Sequence, residues 1–277
     1  MRCNKRFTNL TLAYRGAQGG AQSVICTESM DMSEENGETR VLGGRRTLDY
    51  GTTSAFFEGR GRAASDNPLT ATMYQSADLA TRRDAEEKSR VLPLISPVAQ
   101  DRILDLGCGT GRWAEAIADQ VEAYLGIDFS DALLDVARTR APQAVFQSMN
   151  VAALDTMALA LPPPFTAIIC SGILIYINDE DIRALFRAIS RVAAPACRVY
   201  LREPMATGER LTLDRHWSEE LQDHYSAIYR TRDEYLELFT DLDGFTVREE
   251  GEPFPQELQN RSDTSQRYMV LERSPGR

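Results

Sequence analysis

The residues best suited to chemistry lie in one glycine-rich segment, Asp105-Leu106-Gly107-Cys108-Gly109-Thr110-Gly111-Arg112. This segment joins an apolar run to an amphipathic stretch, so we predict a turn between a buried strand and a helix. Glycines at such a turn let the backbone adopt positive φ angles and pass close to a ligand. A second carboxylate, Asp128, ends the next apolar run, where it can accept both hydroxyl hydrogens of a ribose. The two segments together predict a nucleoside site.

The spacing of the glycines distinguishes two kinds of nucleoside site. From Gly107 the pattern is G-x-G-x-G, and Arg112 stands where the dinucleotide fingerprint G-x-G-x-x-G has its third glycine. That glycine normally allows close helix–strand packing beneath a pyrophosphate, so a dinucleotide fits poorly here. The pattern favours a nucleoside without phosphate and leaves an NAD(P)-dependent enzyme of the same fold as the alternative.

The elements that must hold these residues alternate between short apolar runs and amphipathic stretches. The apolar runs predict strands at 102–106, 123–127, 145–149, 165–170, 198–201, 245–248 and 268–271. The amphipathic stretches predict helices at 113–120, 131–138, 179–192 and 232–239. Such alternation predicts an α/β fold with a mostly parallel sheet and helices on both faces.

Four blocks, ILDLGCGTGRW (103–113), YLGIDFS (124–130), FTAIICSG (165–172) and YLREP (200–204), resemble class I S-adenosylmethionine-dependent methyltransferases of the small-molecule kind. The resemblance covers about residues 70 to 272 in order. It implies a doubly wound, seven-stranded sheet with an antiparallel last strand. It also implies S-adenosyl-L-methionine as cofactor, S-adenosyl-L-homocysteine as product, and a monomer or homodimer.

The same resemblance implies roles for individual residues around the cofactor. The glycine turn would border the methionine part, Asp128 would accept from the ribose, and a residue pair after the third strand would lie near the adenine. For Arg83, binding of the cofactor carboxylate and a solvated helix face are equally good explanations. The cofactor-binding residues implied in this way are Arg83, Asp105, Gly107, Gly109, Gly111, Asp128, Phe129, Asn150, Val151 and Ser171.

Candidate catalytic residues come from the end of the fifth strand and from the segment that follows it. Glu203 ends that strand, where active-site residues of open α/β sheets gather, and His216 lies in the following segment. Either is a candidate base for a hydroxyl acceptor, and Glu203 could also hold a cationic amine. A salt bridge of Glu203 with a neighbouring arginine is the alternative. Tyr74, Tyr225 and Tyr229 are candidate substrate contacts, with packing or surface roles as their alternatives.

The chain divides into three regions on composition and periodicity. Residues 1–48 are rich in polar residues and glycine, and we expect a flexible tail that contributes little to the fold and nothing to the chemistry. Residues 49–95 have helical periodicity and are expected to form a lid. Residues 96–277 form the cofactor-binding domain, with a substrate-capping insertion at 204–230.

Composition limits the partners. The chain has 277 residues and a net charge of −10, which argues against nucleic acid or an anionic membrane as partner. Five cysteines without a CxxC pair predict reduced thiols in a cytoplasmic protein, and two histidines argue against a metal centre. The acidic charge slightly favours a small nitrogen acceptor, amine or guanidine, over a hydroxyl. A cofactor-binding regulatory protein without catalysis is the alternative from another functional class.

Overall fold

The computed structural model describes residues 39–63, 67–73, 76–219, 221–259 and 261–274. Tyr74, Cys3 and Cys26, which figure in the sequence predictions, lie outside these ranges. The other three cysteines, Cys108, Cys170 and Cys197, are buried free thiols. Within the described ranges, no helix combines the length and apolarity needed to span a bilayer.

The elements follow the predicted alternation of strands and helices. The strands in chain order are β1 (Thr39–Leu42), β2 (Arg102–Leu106), β3 (Ala123–Asp128), β4 (Val145–Ser148), β5 (Phe165–Ser171), β6 (Ala193–Ala206), β7 (Leu211–Ser218), β8 (Asp223–Tyr229), β9 (Phe245–Gly251) and β10 (Thr264–Arg273). The helices are α1 (Tyr50–Arg62), α2 (Thr70–Met73), α3 (Ala77–Ile95), α4 (Arg112–Ile117), α5 (Asp131–Arg140), α6 (Asp179–Val192) and α7 (Arg232–Leu238).

Seven strands form the central sheet in the order β4-β3-β2-β5-β6-β10-β9. The first five strands in this order, from β4 to β6, are parallel, whereas β10 runs antiparallel to both β6 and β9. This topology confirms the predicted doubly wound sheet with an antiparallel last strand. Because β10 is antiparallel, its first residues lie at the same sheet edge as the carboxyl ends of the parallel strands. That edge is where ligands bind in open α/β sheets.

Each face of the sheet is covered by its own apolar cluster. Leu104 and Leu106 of β2 point to the face covered by α6 and α7, while Ile103 points to the face covered by α3 and α4. Helix α6 is strongly amphipathic, and its buried residues recur at the helical spacing of Ile182, Leu185, Phe186 and Ile189. These layers hold the strand ends in fixed positions for the site.

A second, three-stranded antiparallel sheet with the order β1-β7-β8 stands outside the central one. Its hairpin, β7–β8, lies within the insertion predicted at 204–230. Strand β6 extends five residues beyond the predicted strand 198–201 at each end. Strand β1 lies inside the segment expected to be a flexible tail, and Leu42 pairs with Leu211. The last residues of the segment 1–48 therefore take part in a sheet, although the composition of this segment predicts little contribution to the fold.

The predicted lid region also has two parts with different roles. Helix α1 packs on α5, where a side chain on Gly61 would lie 2.8 Å from the Ala132 Cβ. The second half of α3 instead joins the core, with Val91 and Ile95 buried against β2 and α4. Helix α3 is therefore a layer of the central sheet as well as a wall of the site.

Candidate cofactor and substrate site

One cavity opens at the carboxyl-end edge of the central sheet and crosses it from β3 to β10. Its floor is formed by the residues that end β3, β2 and β5, together with Arg202 and Pro204 of β6 and Thr264 and Gln266 of β10. Its roof is formed by α1, α2, the β7–β8 hairpin and the segment before β10. We call the part beside β3 and β2 the cofactor end and the part beside β6 and β10 the substrate end.

The glycine-rich turn has the backbone that its sequence predicts. Gly107, Gly109 and Gly111 have φ angles of 71°, 53° and 74°, a region that side chains disfavour. A Cβ on Gly107 would lie 2.2 Å from the Ile173 Cδ1, and one on Gly109 would lie 2.9 Å from the Thr72 Cγ2. Gly107 and Gly109 line the cavity, whereas Gly111 packs against α5. The turn thus brings bare backbone to the cofactor end.

Asp128 lies at the end of β3 and faces this turn. Its Oδ2 accepts from the Gly109 N–H at 3.0 Å and its Oδ1 accepts from the Ser130 N–H at 3.0 Å. Burial raises the pKa of this carboxyl to about 6. Each oxygen has a second lone pair, so the carboxylate can still accept two hydroxyl hydrogens from a ligand in the cavity.

Asp105 lies on β2 beside Asp128 and lines the same end. The Tyr124 hydroxyl donates to its Oδ2 at 2.7 Å. Burial raises the pKa of Asp105 to about 7, since the charged form has lost its water and has only partial compensation. A cationic group in the cavity, such as a ligand ammonium, would stabilise the ionised form.

Arg112, the residue that replaces the third glycine, is buried and fully engaged. Its guanidinium contacts Asp84 at 3.0 Å, Glu87 at 2.9 Å and the Ser171 Oγ at 2.9 Å. Burial alone would raise the pKa of Glu87, but the charges of Arg112 and Arg202 outweigh it and lower the pKa to about 2. Arg112 therefore links the helix after the turn to α3 and to Ser171 at the end of β5.

Arg83 and Phe129 both line the cavity, as the sequence predicts. Arg83 is buried, so it is not on a solvated helix face, and it donates through its Nε to the Leu258 carbonyl at 2.8 Å. Phe129 packs edge to face on Phe57 of α1, with ring centroids 6.0 Å apart. An aromatic wall therefore follows directly after Asp128.

Asn150 and Val151 lie outside the cavity lining. The Asn150 side chain is exposed and caps a short turn by accepting from the Ala152 N–H at 2.9 Å. Val151 is buried in the apolar cluster under α6. The structure thus gives both residues structural roles and does not support their predicted contact with an adenine.

Glu203 is fully buried and does not line the cavity. Its Oε1 accepts from the backbone N–H groups of Ile173 and Leu174 at 3.0 and 2.9 Å, at the start of the turn that follows β5. Burial raises its pKa to about 7. The structure therefore gives no support to the predicted contact of Glu203 with substrate, because its Oε1 is directed to this turn and positions it.

A guanidinium holds the other end of the same turn. Arg230, at the end of β8, is fully buried and donates to the carbonyls of Leu174 and Ile177 at 2.8 and 2.6 Å. It also pairs with Asp179, the first residue of α6. Since Ile173, Ile175 and Tyr176 line the cavity, the anion of Glu203 and the cation of Arg230 together fix one wall of it.

Of the hairpin residues predicted to contact substrate or act as a base, two line the cavity and one does not. Tyr225 and Tyr229 line the cavity, and their hydroxyl oxygens are 2.6 Å apart. His216 stands opposite Tyr225 in the β7–β8 pairing but does not line the cavity, so the structure gives no support to its role as a base. Burial raises the pKa of Tyr229 well above its ordinary value.

The sequence prediction missed the segment before β10. It places Phe254, Gln259 and Arg261 in the cavity wall, followed by Thr264 and Gln266 at the start of the strand. Arg261 donates to the Tyr225 hydroxyl at 3.0 Å and lies 5.3 Å from the Tyr229 ring centroid. Nothing local in this segment identifies it, since only the antiparallel return of β10 brings it to the site.

A family comparison supports the resemblance drawn from the sequence. Residues 103–196 match the family described as a methyltransferase domain, which covers the glycine turn, Asp128 and strands β2 to β5. With the seven-stranded topology, this match confirms the resemblance to class I S-adenosylmethionine-dependent methyltransferases.

Curated relatives match over part of their length. The ubiquinone biosynthesis O-methyltransferase of Xylella fastidiosa is 30% identical over 106 residues, which is 38% of this chain and 42% of that protein. The protein with the same description from Xanthomonas oryzae pv. oryzae is 27% identical over 156 residues, 50% of this chain and 64% of that protein. The chain thus spans less than two thirds of the relatives it matches.

Solved structures share the fold at low identity. A phosphoethanolamine N-methyltransferase of Haemonchus contortus superposes with a TM-score of 0.64 at 16% identity, over 83% of this chain and 50% of that one. The magnesium protoporphyrin IX methyltransferase of Synechocystis gives a TM-score of 0.55 at 18% identity, over 83% of this chain and all of that one. At such identities the likeness concerns the fold alone.

Proposed function

We propose that the protein binds S-adenosylmethionine at the cofactor end of the cavity and transfers its methyl group to a small molecule at the substrate end. The observation that carries this proposal is the pairing of the positive-φ glycine turn with Asp128 across one cavity. The family match over residues 103–196 supports it, and the neighbour from Synechocystis was solved with S-adenosylmethionine bound.

The residues present fit this cofactor. Asp128 has lone pairs for the ribose hydroxyls, Asp105 offers an anion for the amino group, and the glycine turn leaves room that a Cβ would fill. Arg83 supplies a cation for the carboxylate, and Phe129 supplies an apolar face for the adenine. A dinucleotide would need the space that the Arg112 side chain fills.

When bound, S-adenosylmethionine supplies a methyl group on a sulfonium, which is already activated for in-line displacement. The protein then has to align the acceptor and exclude water. The Ser171–Ile173 loop forms the wall between the two ends, and Glu203 and Arg230 hold the turn that follows it. The hairpin and α1 cover the site from above.

We further propose an oxygen acceptor in place of the nitrogen acceptor that the acidic composition favoured. The carboxylate that was expected to hold a cationic acceptor, Glu203, is not in the cavity. The curated relatives reported above are O-methyltransferases, which supports a hydroxyl or carboxyl oxygen.

Titration calorimetry of the whole chain with S-adenosylhomocysteine and with NAD tests the cofactor. We expect the first to bind and the second not to bind, and the reverse would establish the dinucleotide alternative. Incubation with methyl-labelled cofactor and pools of phenols, sugars, carboxylic acids and amines then tests transfer. A chain that binds cofactor and labels nothing in any pool would be the non-catalytic regulatory protein.

A further inference from the structure

The substrate end of the cavity is rich in hydrogen-bond donors. Its described lining residues include two arginines and two tyrosines, whereas the carboxylates of the lining, Asp105 and Asp128, are both at the cofactor end. Four of the donors come from the hairpin and from the segment before β10. We call this group the donor subsite, and it consists of Tyr225, Tyr229, Gln259 and Arg261.

The two phenol hydroxyls of the donor subsite have one more hydrogen-bond donor than their contacts within the protein use. Their hydroxyl oxygens share one hydrogen bond at 2.6 Å, and Arg261, which can only donate, already donates to the Tyr225 oxygen. Two hydroxyls carry two protons, and the shared bond uses one of them. Both side chains are more than nine-tenths buried, and the described residues provide no acceptor for the second proton. This proton is therefore available to an acceptor in the cavity.

The Arg261 guanidinium is fixed in place from behind. Its Nε and Nη2 donate to the two carboxylate oxygens of Asp263 at 3.1 and 3.2 Å, and its plane lies over the Tyr229 ring. These bonds and the bond to Tyr225 use three of its five N–H groups, so two remain. A guanidinium held in this way suits planar recognition of an anionic oxygen group.

The fourth member adds a further donor. The Gln259 Oε1 accepts from the Gln266 N–H at 3.4 Å, which assigns the other end of the amide as nitrogen. That nitrogen is buried and has no hydrogen-bond partner within the described structure. A buried donor without a partner destabilises the folded chain, so a bound acceptor here would remove that cost.

We infer that the donor subsite binds an anionic oxygen group, a carboxylate or a phosphate, carried by the methyl acceptor. The inference rests on the proposed methyltransferase function and names the substrate class of the same site. A cationic substrate would meet the Arg261 and Arg202 guanidiniums and find no carboxylate among the described residues that line this end. An anionic oxygen instead satisfies the spare phenolic proton, the guanidinium and the amide at once.

Three ring-matched probes test the inference on the whole chain saturated with S-adenosylhomocysteine. Phenyl phosphate and benzoate carry the anion, benzylamine carries a cation, and titration calorimetry measures each affinity. We expect at least one anion to bind and benzylamine to bind at least about tenfold more weakly, because charge-assisted hydrogen bonds are the strong ones. The two anions distinguish a phosphate from a carboxylate acceptor. Binding of benzylamine equal to or tighter than both anions would overturn the inference.

Variants locate the binding. Arg261→Met should reduce anion affinity at least about tenfold while affinity for S-adenosylhomocysteine stays unchanged. Tyr229→Phe removes the spare hydroxyl proton with almost no change in volume, and it should reduce anion affinity severalfold. This variant keeps the test decisive if Arg261→Met fails to fold. Arg248→Met, on a side chain that is 70% exposed on β9, is the matched control. Full anion affinity in both Arg261→Met and Tyr229→Phe would place the anion elsewhere.

The two proposals fail in different ways. Absence of S-adenosylhomocysteine binding in the unaltered chain overturns the proposed function. Normal S-adenosylhomocysteine binding without preference for the anionic probes overturns the donor subsite alone.

Discussion

The two ends of the cavity are built from chain segments of different kinds. The cofactor end is built around residues that follow one another within about 25 positions, from Asp105 to Phe129, at the ends of two adjacent strands, and α3 adds Arg83. The substrate end is assembled from the hairpin, β6 and the segment before β10, which are far apart in sequence. Local turn geometry therefore determines the first end, and the packing of the whole fold determines the second.

The two ends also differ in charge. Asp105 and Asp128 give the cofactor end two buried carboxyls with raised pKa values, whereas the substrate end exposes guanidiniums and phenols. A ligand with a cationic and hydroxyl-bearing part fits the first end, and one with an anionic group fits the second. Specificity for the cofactor and specificity for the acceptor should therefore be separable by mutation, and the following variants test this independence.

The largest effect is expected at the glycine turn. Gly109→Val places a branched side chain at φ 53°, with its Cβ 2.9 Å from the Thr72 Cγ2, so it should abolish S-adenosylhomocysteine binding. Gly208→Val is the matched control, since a Cβ there meets nothing within 4 Å. Titration calorimetry measures binding, and circular dichroism checks the fold. If the variant still binds, the cofactor does not lie on this turn.

Next comes the cation that joins the hairpin to the central sheet. Arg230→Met leaves the carbonyls of Leu174 and Ile177 without their buried donor, while Asp179 keeps Arg210 as a partner. The free energy of unfolding should fall by about 1–3 kcal/mol for each carbonyl. Urea denaturation measures this loss. Arg187→Met, whose side chain is 53% exposed, should have little effect. Equal stability of the two variants would show that the wall of the cavity does not depend on Arg230.

At the cofactor end, Asp128→Asn keeps the shape of the side chain and removes its charge. Charge-assisted hydrogen bonds are worth about 1.5–3 kcal/mol each, so the affinity for S-adenosylhomocysteine should fall at least about tenfold. Anion affinity at the substrate end should stay the same if the two ends are independent. Unchanged cofactor affinity in calorimetry would remove Asp128 from the ribose site.

The raised pKa values predict a pH dependence. Asp105 and Asp128 titrate at about 7 and about 6 in the fold, above their ordinary 3.8, so the folded chain holds more protons than the unfolded one. Without ligand, stability should therefore fall as the pH rises from about 4 to 7. A ligand that donates to these carboxylates should bind severalfold more tightly at pH 8 than at pH 5.5. Ligand affinity that does not change with pH in calorimetry would contradict this prediction. In Asp128→Asn the increase of affinity between pH 5.5 and pH 8 should be smaller.

The smallest effect is expected for Glu203→Gln. The amide oxygen can still accept from the Ile173 and Leu174 N–H groups, so methyl transfer should stay within about fivefold of the unaltered chain. Rates with labelled cofactor measure this. A hundredfold loss with unchanged cofactor affinity would mean that Glu203 contacts the substrate after all.

Sequence reasoning predicted the part of the site that is encoded locally. The glycines, Asp105 and Asp128 follow directly from strand ends and turn residues, and the order of strands and helices follows from periodicity. The same reasoning placed Glu203 in the active site because it ends a strand. It could not tell that this side chain points to the turn after β5, because the two faces of a strand end are equivalent in sequence.

The remaining misses concern pairing between distant segments. Strand β1 is too short to show an amphipathic pattern of its own. Its partner, residues 211–214 of β7, follows in the chain only after strands β2 to β6. In the sequence, Arg261 cannot be distinguished from a surface arginine. Only the position of β10 in the sheet brings it beside Tyr225. Such residues can be recognised only when the sheet order is known.

The pairing of β1 with β7 has a consequence for biosynthesis. Leu42 leaves the ribosome about 170 residues before its partner Leu211. At a synthesis rate of about 5–20 residues per second, the segment of β1 lacks its strand partner for roughly 10–35 s. Until the hairpin is made, it is an open edge to which a chaperone or another nascent chain can add a strand. The hairpin part of the roof is thus synthesised only after the whole chain of the glycine turn and Asp128 has been made.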